Sequence, residues 1–183
     1  MTTLKEILGT SIKSVASDPS NPTNGEIWYN TTSNNFKAAE ASTSGTWTAG
    51  GNLGTGRNSL AGAGTQTAGL AFGGFDEFVT SNSTEEYNGT SWTAGGNLGT
   101  GRGSLAGAGT QTAGLAFGND SATEQYDGSA WTAGGNLGTG RNTLAGAGTQ
   151  TAGLAFGGGF PGTNSTEEYT GPGAIIVRTI TTS

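Results

Sequence analysis

A 27-residue frame that occurs three times is the feature that most restricts how this chain can fold. It runs from Trp47 to Gly73, from Trp92 to Gly118 and from Trp131 to Gly157, and the first copy reads WTAGGNLGTGRNSLAGAGTQTAGLAFG. The copies differ only at the one or two positions that follow the arginine. Self-similarity at a period of roughly 40–50 residues is the signature of a repeat architecture, so the chain is predicted to be an array of similar small units.

Each copy, together with the segment that follows it, predicts four short β-strands. A Trp-centred strand leads into the loop AGGNLGTG, because four glycines in eight residues would be costly in a regular element. The small-residue strand LAGAG, the turn GTQT and the strand AGLAF follow, and a STEEY strand ends at the tight turn Asn88-Gly89. Four strands per repeat favour a small all-β propeller over a β-solenoid, whose coils are normally shorter.

The N-terminal part can be fitted to the same plan as a divergent fourth blade. Its apolar segments alternate with turn formers, and EIWYN and FKAAEA read as a β-hairpin. The four strands of this blade are predicted at residues 11–16, 26–30, 36–41 and 45–49.

The ends of the chain are given separate roles. Residues 1–25 lie outside the regular repeat and are predicted to be a docking segment, which leaves residues 26–183 as the repeat domain. Residues 174–182 are rich in Ile, Val and Thr, and they are predicted to be a closing strand that replaces the Trp strand of the third unit.

Composition argues against several classes of function. The net charge is −6 and the seven basic residues are scattered, so a nucleic-acid or anionic membrane surface is not expected. The chain has no Cys and no His, which removes disulfides, the commonest general base and the commonest metal ligand. No cofactor, no metal and no enzyme activity are therefore expected. The absence of a signal-peptide pattern favours assembly in a cytoplasm without export.

Within residues 47–170, apolar residues run into the glycine pair Gly73-Gly74, and Tyr87, Trp92 and Arg102 follow. This order resembles a kelch repeat, and the later copies repeat it. Two departures are visible: four residues separate Tyr87 from Trp92 where kelch blades usually have six, and the second copy has Gly118-Asn119 in place of the glycine pair. The resemblance implies a kelch-like propeller of three regular blades and one divergent blade.

Longer phrases narrow the resemblance. The leader SDPSNPTNGEIWYNTTSNNFK and copies such as STEEYNGTSWTAGGNLGTGR are similar to kelch-like virion proteins of bacteriophages, notably those infecting marine cyanobacteria. This implies a non-catalytic tail fibre, neck fibre or capsid decoration, located in the virion and assembled in the host cytoplasm. The implied partners are other virion proteins, further copies of the chain and a host-surface glycan or protein.

Three repeated features are predicted to be structural. GNLGTGR lacks the Lys-Ser/Thr pair of a phosphate loop. In the pairs Glu85-Glu86 and Glu167-Glu168, one carboxylate is expected to face solvent and the other to pair with the repeat arginine between blades. The tryptophans and phenylalanines of the frame are expected to pack blade against blade.

The loops after AFG are the candidate binding site, because they diverge while the frame stays constant. Neutral drift at tolerant loop tips is the alternative, and a carbohydrate-binding adhesin or a kelch-type oxidase are the other functions considered. The predicted partner-binding residues are Phe75, Asp76, Phe78, Asn119, Asp120, Phe160 and Pro161.

Overall fold

A computed structural model describes residues 12–40 and 44–173 of the chain. These residues form strands, turns and loops, and no helix occurs among them, so none of them lies in a helix that could span a membrane. The chain divides into two compact units, Met1–Thr48 and Ala49–Ser183. The prediction of an all-β protein is confirmed for the described residues.

The N-terminal unit contains a small mixed sheet made of β1 (Lys13–Val15), β2 (Ile27–Asn30) and β3 (Asn35–Ala38). The predicted hairpin is confirmed, because β2 and β3 pair antiparallel and pack Tyr29 on Phe36 with ring centroids 5.0 Å apart. Trp28 is buried, and its indole N–H donates to Asp18 at 3.0 Å.

The prediction that this unit is a divergent blade of four strands is wrong. β1 pairs parallel with β2, because the turn-rich segment 16–26 returns the chain to the same end of the sheet before the second strand begins. The expected fourth strand at residues 45–49 does not form, and Trp47, at its centre, is fully exposed.

The repeat unit contains three sheets of the same design. The first repeat sheet consists of β4 (Ala61–Thr65), β5 (Ala68–Phe72), β8 (Thr84–Tyr87) and β9 (Trp92–Ala94), and the loop between β5 and β8 carries the small hairpin β6 (Phe75–Asp76) and β7 (Val79–Thr80). The second repeat sheet consists of β10 (Ala106–Gly109), β11 (Gly114–Phe117), β12 (Thr123–Tyr126) and β13 (Trp131–Ala133). The third consists of β14 (Ala145–Gly148), β15 (Ala152–Phe156) and β16 (Thr166–Thr170).

Each repeat sheet is an antiparallel meander in sequence order, as the frame predicts. The Trp strands at Trp92 and Trp131 are confirmed. The closing strand predicted at residues 174–182 lies outside the described residues, so the third sheet has three described strands.

The three sheets stack side by side through their glycine- and alanine-rich first strands. The amide of Ser104 donates to the carbonyl of Ser59 at 2.8 Å, and the amide of Thr143 donates to the carbonyl of Ser104 at the same distance. A Cβ at Gly107 would lie 2.6 Å from both the Gly62 carbonyl oxygen and the Phe72 ring. Small residues in these strands therefore allow neighbouring backbones to approach, which is the role predicted for LAGAG.

Two apolar cores lie between successive sheets. Phe72 and Leu70 of the first sheet are buried against the second, and Phe117 and Leu115 of the second are buried against the third. The equivalent Phe156 of the third sheet remains 38% exposed. Burial of these side chains thus depends on a following sheet rather than on the sheet that carries them.

Candidate functional site

The variable loops occupy equivalent places in the fold. They join the second strand of each repeat sheet to the third, namely β5 to β8, β11 to β12 and β15 to β16. Because the sheets have the same strand order and stack side by side, the three loops emerge along one edge of the stack. The constant frame therefore carries the divergent residues to one surface.

The first loop divides its aromatic residues between packing and exposure. Phe75 is half-buried and bridges Asn58, and its ring occupies the space that a Cβ on Gly103 would need. Phe78 is 96% exposed beside Glu77, which has a φ of 53° at the hairpin tip. Of the two aromatic residues predicted to contact a partner, Phe78 is exposed and available, whereas Phe75 packs between repeats.

The signal for the role of Phe75 was present in the sequence. The second frame has Gly103 where the other two frames have Asn58 and Asn142. Only the loop that precedes Gly103 carries a phenylalanine at this position, so the substitution and the ring are complementary. Asp76, on the same hairpin, is exposed and pairs through its backbone with Val79.

The second loop is a tight turn at Asn119 and Asp120, both exposed. Asn119 has a φ of 74°, and its amide donates to the Arg141 carbonyl at 2.8 Å. Asp120 accepts from the amide of Ala122 at 2.7 Å and lies 3.9 Å from Arg102 Nη1. These two residues therefore shape the turn and attach it to the next repeat.

The third loop presents Phe160 and Pro161, which are both exposed, Phe160 completely. A shallow groove runs beside them and is lined by residues 139–141 and by Thr163, Ser165 and Glu167. The groove combines an aromatic ring with hydroxyl and charged side chains.

In each repeat, a buried arginine attaches the segment before the first strand of the sheet to the third strand of that sheet. Arg57 donates to Glu85 at 2.7 Å and to the carbonyls of Gly73 and Ser83 at 2.8 Å, and the second Glu85 oxygen accepts from the Gly54 amide at 2.7 Å. The same arrangement recurs in Arg102–Glu124 at 2.8 Å and Arg141–Glu167 at 2.9 Å.

The predicted pairing of one carboxylate with the repeat arginine is confirmed, but its expected position between blades is wrong. Arg57 precedes β4 and Glu85 lies on β8, so the ion pair is internal to one repeat. The neighbouring Glu86 does not simply face solvent either, because it accepts from the Tyr126 hydroxyl of the next sheet at 2.6 Å. Burial and the bond to Glu86 raise the pKa of Tyr126 to about 12.

A repeated glutamine joins each sheet to the sheet that precedes it. Gln111 donates to the carbonyls of Gly69 and Tyr87 in the preceding sheet, at 3.1 and 2.7 Å. Gln150 makes the equivalent bonds to Gly114 and Tyr126. The sequence predicts only a turn at GTQT, since nothing in the local pattern distinguishes a bridging glutamine from a solvated one.

Trp131 shows how a frame tryptophan joins two sheets. Its indole lies 4.9 Å from both Phe72 and Tyr126, measured between ring centroids, and its N–H donates to Thr84 Oγ1 at 2.9 Å. This confirms the predicted packing of blade against blade for Trp131 and Phe72. The prediction is wrong for Trp47, whose side chain is fully exposed.

The N-terminal unit has its own polar cluster around Asp18. Its carboxylate accepts from Lys37 Nζ at 2.6 Å, from Asn30 at 2.7 Å and from the Trp28 indole at 3.0 Å. The bond from Lys37, followed by those from Asn30 and Trp28, lowers the pKa of Asp18 to about 2. The cluster ties β2 and β3 to the preceding turn.

Residues 12–40 and 44–173 contain no group of three or more His, Cys, Asp or Glu side chains arranged to hold a metal ion. No family model matches the sequence, and no curated protein matches it. The fold matches solved structures, among them that of YjhT, with a TM-score of 0.55 over 79% of this chain at 11% identity. The chain spans 48% of the length of YjhT, and the likeness concerns the fold alone.

Proposed function

We propose that the chain is a non-catalytic structural protein of a bacteriophage virion, built from kelch-like propeller blades that carry a recognition surface. The observation that carries this proposal is the contrast between a constant frame and divergent loops at one edge of the stacked sheets. Phe78 and Phe160, which are almost completely exposed, lie in two of those loops. Exposed aromatic side chains are frequent anchors of protein contacts.

The repeat frame supports a scaffold role in this proposal. Buried arginine–carboxylate pairs hold each repeat together, whereas bridging glutamines and the Trp131 contact join successive sheets. None of these contacts requires a particular sequence in the loops, which are therefore free to vary. In this proposal residues 1–25 dock the protein on the particle, and the virion partners are other structural proteins and further copies of the chain.

The experiment replaces Phe78 and Phe160 together by serine in the phage that encodes the protein. We expect normal particle assembly and a clear loss of adsorption to the host, because both side chains are exposed and hold no part of the core. Phe36→Ser is the matched control, since Phe36 is an exposed aromatic residue outside the loops, at 64%. Unchanged adsorption and assembly in the double variant would remove the recognition role.

A carbohydrate-binding adhesin is the second candidate, and the groove beside Phe160 favours it. An aromatic face next to hydroxyl and charged side chains is suited to stacking and hydrogen bonding with a sugar. Glycan-array binding by the isolated protein that Phe160→Ser abolishes, while Phe78→Ser leaves it intact, would select this function. Adsorption that depends on both residues without glycan binding would select a protein receptor.

A further inference from the structure

The junction between the first and second repeat sheets contains a socket for an indole ring. Trp131, from the last strand of the second sheet, fills it, with Phe72 and Tyr126 on either side and Thr84 accepting the indole N–H. The ring therefore has two apolar walls and one hydrogen-bond acceptor.

The junction between the second and third sheets contains the same socket as a cavity. Among the residues that line it are Phe117, Thr123 and Tyr169, which occupy the frame positions of Phe72, Thr84 and Tyr126. The residue five positions after the tyrosine is Trp131 in the second repeat, but it is Ala174 in the third. The chain therefore supplies no tryptophan at the position that fills the first socket.

One tryptophan of the frame, in contrast, has no pocket that holds its side chain among the described residues. Trp47 begins the first copy of the frame but is fully exposed and lies outside any strand. The glycine pair that follows it, Gly50-Gly51, meets the hydroxyl of Tyr87 in the first sheet. The pair after Trp131, Gly134-Gly135, meets Tyr169 in the same way. Trp47 thus leads into the first sheet as Trp131 leads into the third, but without a sheet of its own.

We propose that Trp47 of one copy enters the cavity between the second and third sheets of another copy. The segment 46–48 then adds along the edge of β16 that pairs with no described strand, as β9 adds to β8 and β13 to β12. In those sheets the tyrosine pairs with the tryptophan, as Tyr87 with Trp92 and Tyr126 with Trp131. The equivalent register places Trp47 of one copy opposite Tyr169 of the other, and Thr48 opposite Glu168.

The faces on either side of this contact are complementary, because they repeat an interface that already exists within the chain. Gly107 lies over Phe72, and Gly146 lies over Phe117. The exposed Phe156 of one copy would receive Gly62 of the next in the same way, and Gln66, which is exposed, would make the bonds that Gln111 makes. The contact is head-to-tail, so it generates a closed ring or an open chain of copies.

Mixed cross-linking tests the proposal, since the chain has no native cysteine. Thr48→Cys and Glu168→Cys are made in separate chains, mixed and oxidised, so that a disulfide between the two variants can form only between copies. We expect a disulfide-linked pair containing one chain of each variant. Thr48→Cys mixed with Ser129→Cys is the control, because Ser129 lies in a turn of the second sheet, and no such pair is expected.

The second measurement is self-association by sedimentation. Trp47→Ala is expected to raise the dissociation constant by at least about 30-fold, the effect of truncating an aromatic anchor at an interface. Thr123→Val, which removes only the acceptor for the indole N–H, is expected to give a smaller increase of about 5-fold. Trp47→Ala should leave the melting temperature of the monomer unchanged, because the side chain is exposed in the single chain.

Two results would overturn the proposal. One is a protein that stays monomeric at all concentrations and yields no mixed disulfide. The other is self-association that Trp47→Ala leaves unchanged, which would place the contact between copies elsewhere.

Discussion

Gly107→Ala tests whether the small-residue strands set the distance between repeat sheets. The added Cβ would lie 2.6 Å from the Gly62 carbonyl oxygen and 2.6 Å from Phe72 Cζ, against an ordinary contact of 3.4–4 Å. The neighbouring strand would have to move by nearly 1 Å, and one of the two obstacles is backbone. Overpacking of this kind costs about 1–3 kcal/mol. The alanine also lowers the conformational entropy of the unfolded chain, which offsets about 0.4–1 kcal/mol of this cost. We therefore expect the free energy of unfolding to fall by roughly 0.5–2 kcal/mol.

The repeat provides a matched control. Gly62 has the same position in the first frame, but a Cβ there would meet only the Leu70 carbonyl, at 3.2 Å. Gly146 in the third frame would meet Phe117 at 2.6 Å and should behave like Gly107. Urea unfolding of the three alanine variants, measured at a concentration where the protein is monomeric, gives the comparison directly.

The expected order is that Gly107→Ala and Gly146→Ala both lose stability while Gly62→Ala changes little. Equal losses at Gly62 and Gly107 would refute the reasoning, because the glycines would then be needed for the strand itself rather than for the neighbouring sheet. In the self-associating form, Gly62→Ala should also weaken association, since Gly62 is the residue proposed to receive Phe156 of another copy.

Three further results are expected. Stability should fall as the pH rises from about 10 to about 12, because folding favours protonated Tyr126, whose pKa is raised to about 12, and Tyr126→Phe should flatten this fall in alkaline urea titrations. In the N-terminal unit, Trp28 fluorescence should report a loss of stability as the pH falls from about 4 to about 2, because the folded carboxylate of Asp18 has a lowered pKa of about 2, and Asp18→Asn should remove that dependence. Arg102→Met should cost about 3 kcal/mol or more in chemical unfolding, because it leaves Glu124 without its cation, and a loss under about 1 kcal/mol would contradict the buried pairing.

The strands of the repeat could be predicted from the sequence, because the same pattern of residues recurs in three copies. A pattern of small residues such as AGAG has weak strand propensity by itself, but its recurrence between the same turns indicates one structure used three times. The confirmed strands in all three sheets follow from that register. The N-terminal sheet has no second copy, and there the predicted strand order failed: the parallel pairing of β1 with β2 is not visible in alternation alone.

The candidate site could be predicted in outline but not residue by residue. Divergence after AFG located the loops, and Phe78 and Phe160 are exposed there. Whether Phe75 binds a partner or packs depended on Gly103, which belongs to the next repeat.

The sequence by itself determined the repeat, its strands, the pairing of one glutamate of each pair with a repeat arginine and the edge on which the copies differ. The tertiary structure decided what crosses from one repeat to the next: Glu86 to Tyr126, Gln111 to Tyr87, Trp131 into its socket and the same socket left as a cavity one junction later. The reason is physical. Strand formation depends on neighbours in the chain, and its pattern recurs in every copy. These contacts instead join residues that are 24 to 47 positions apart, and only the stacking of the sheets brings them together.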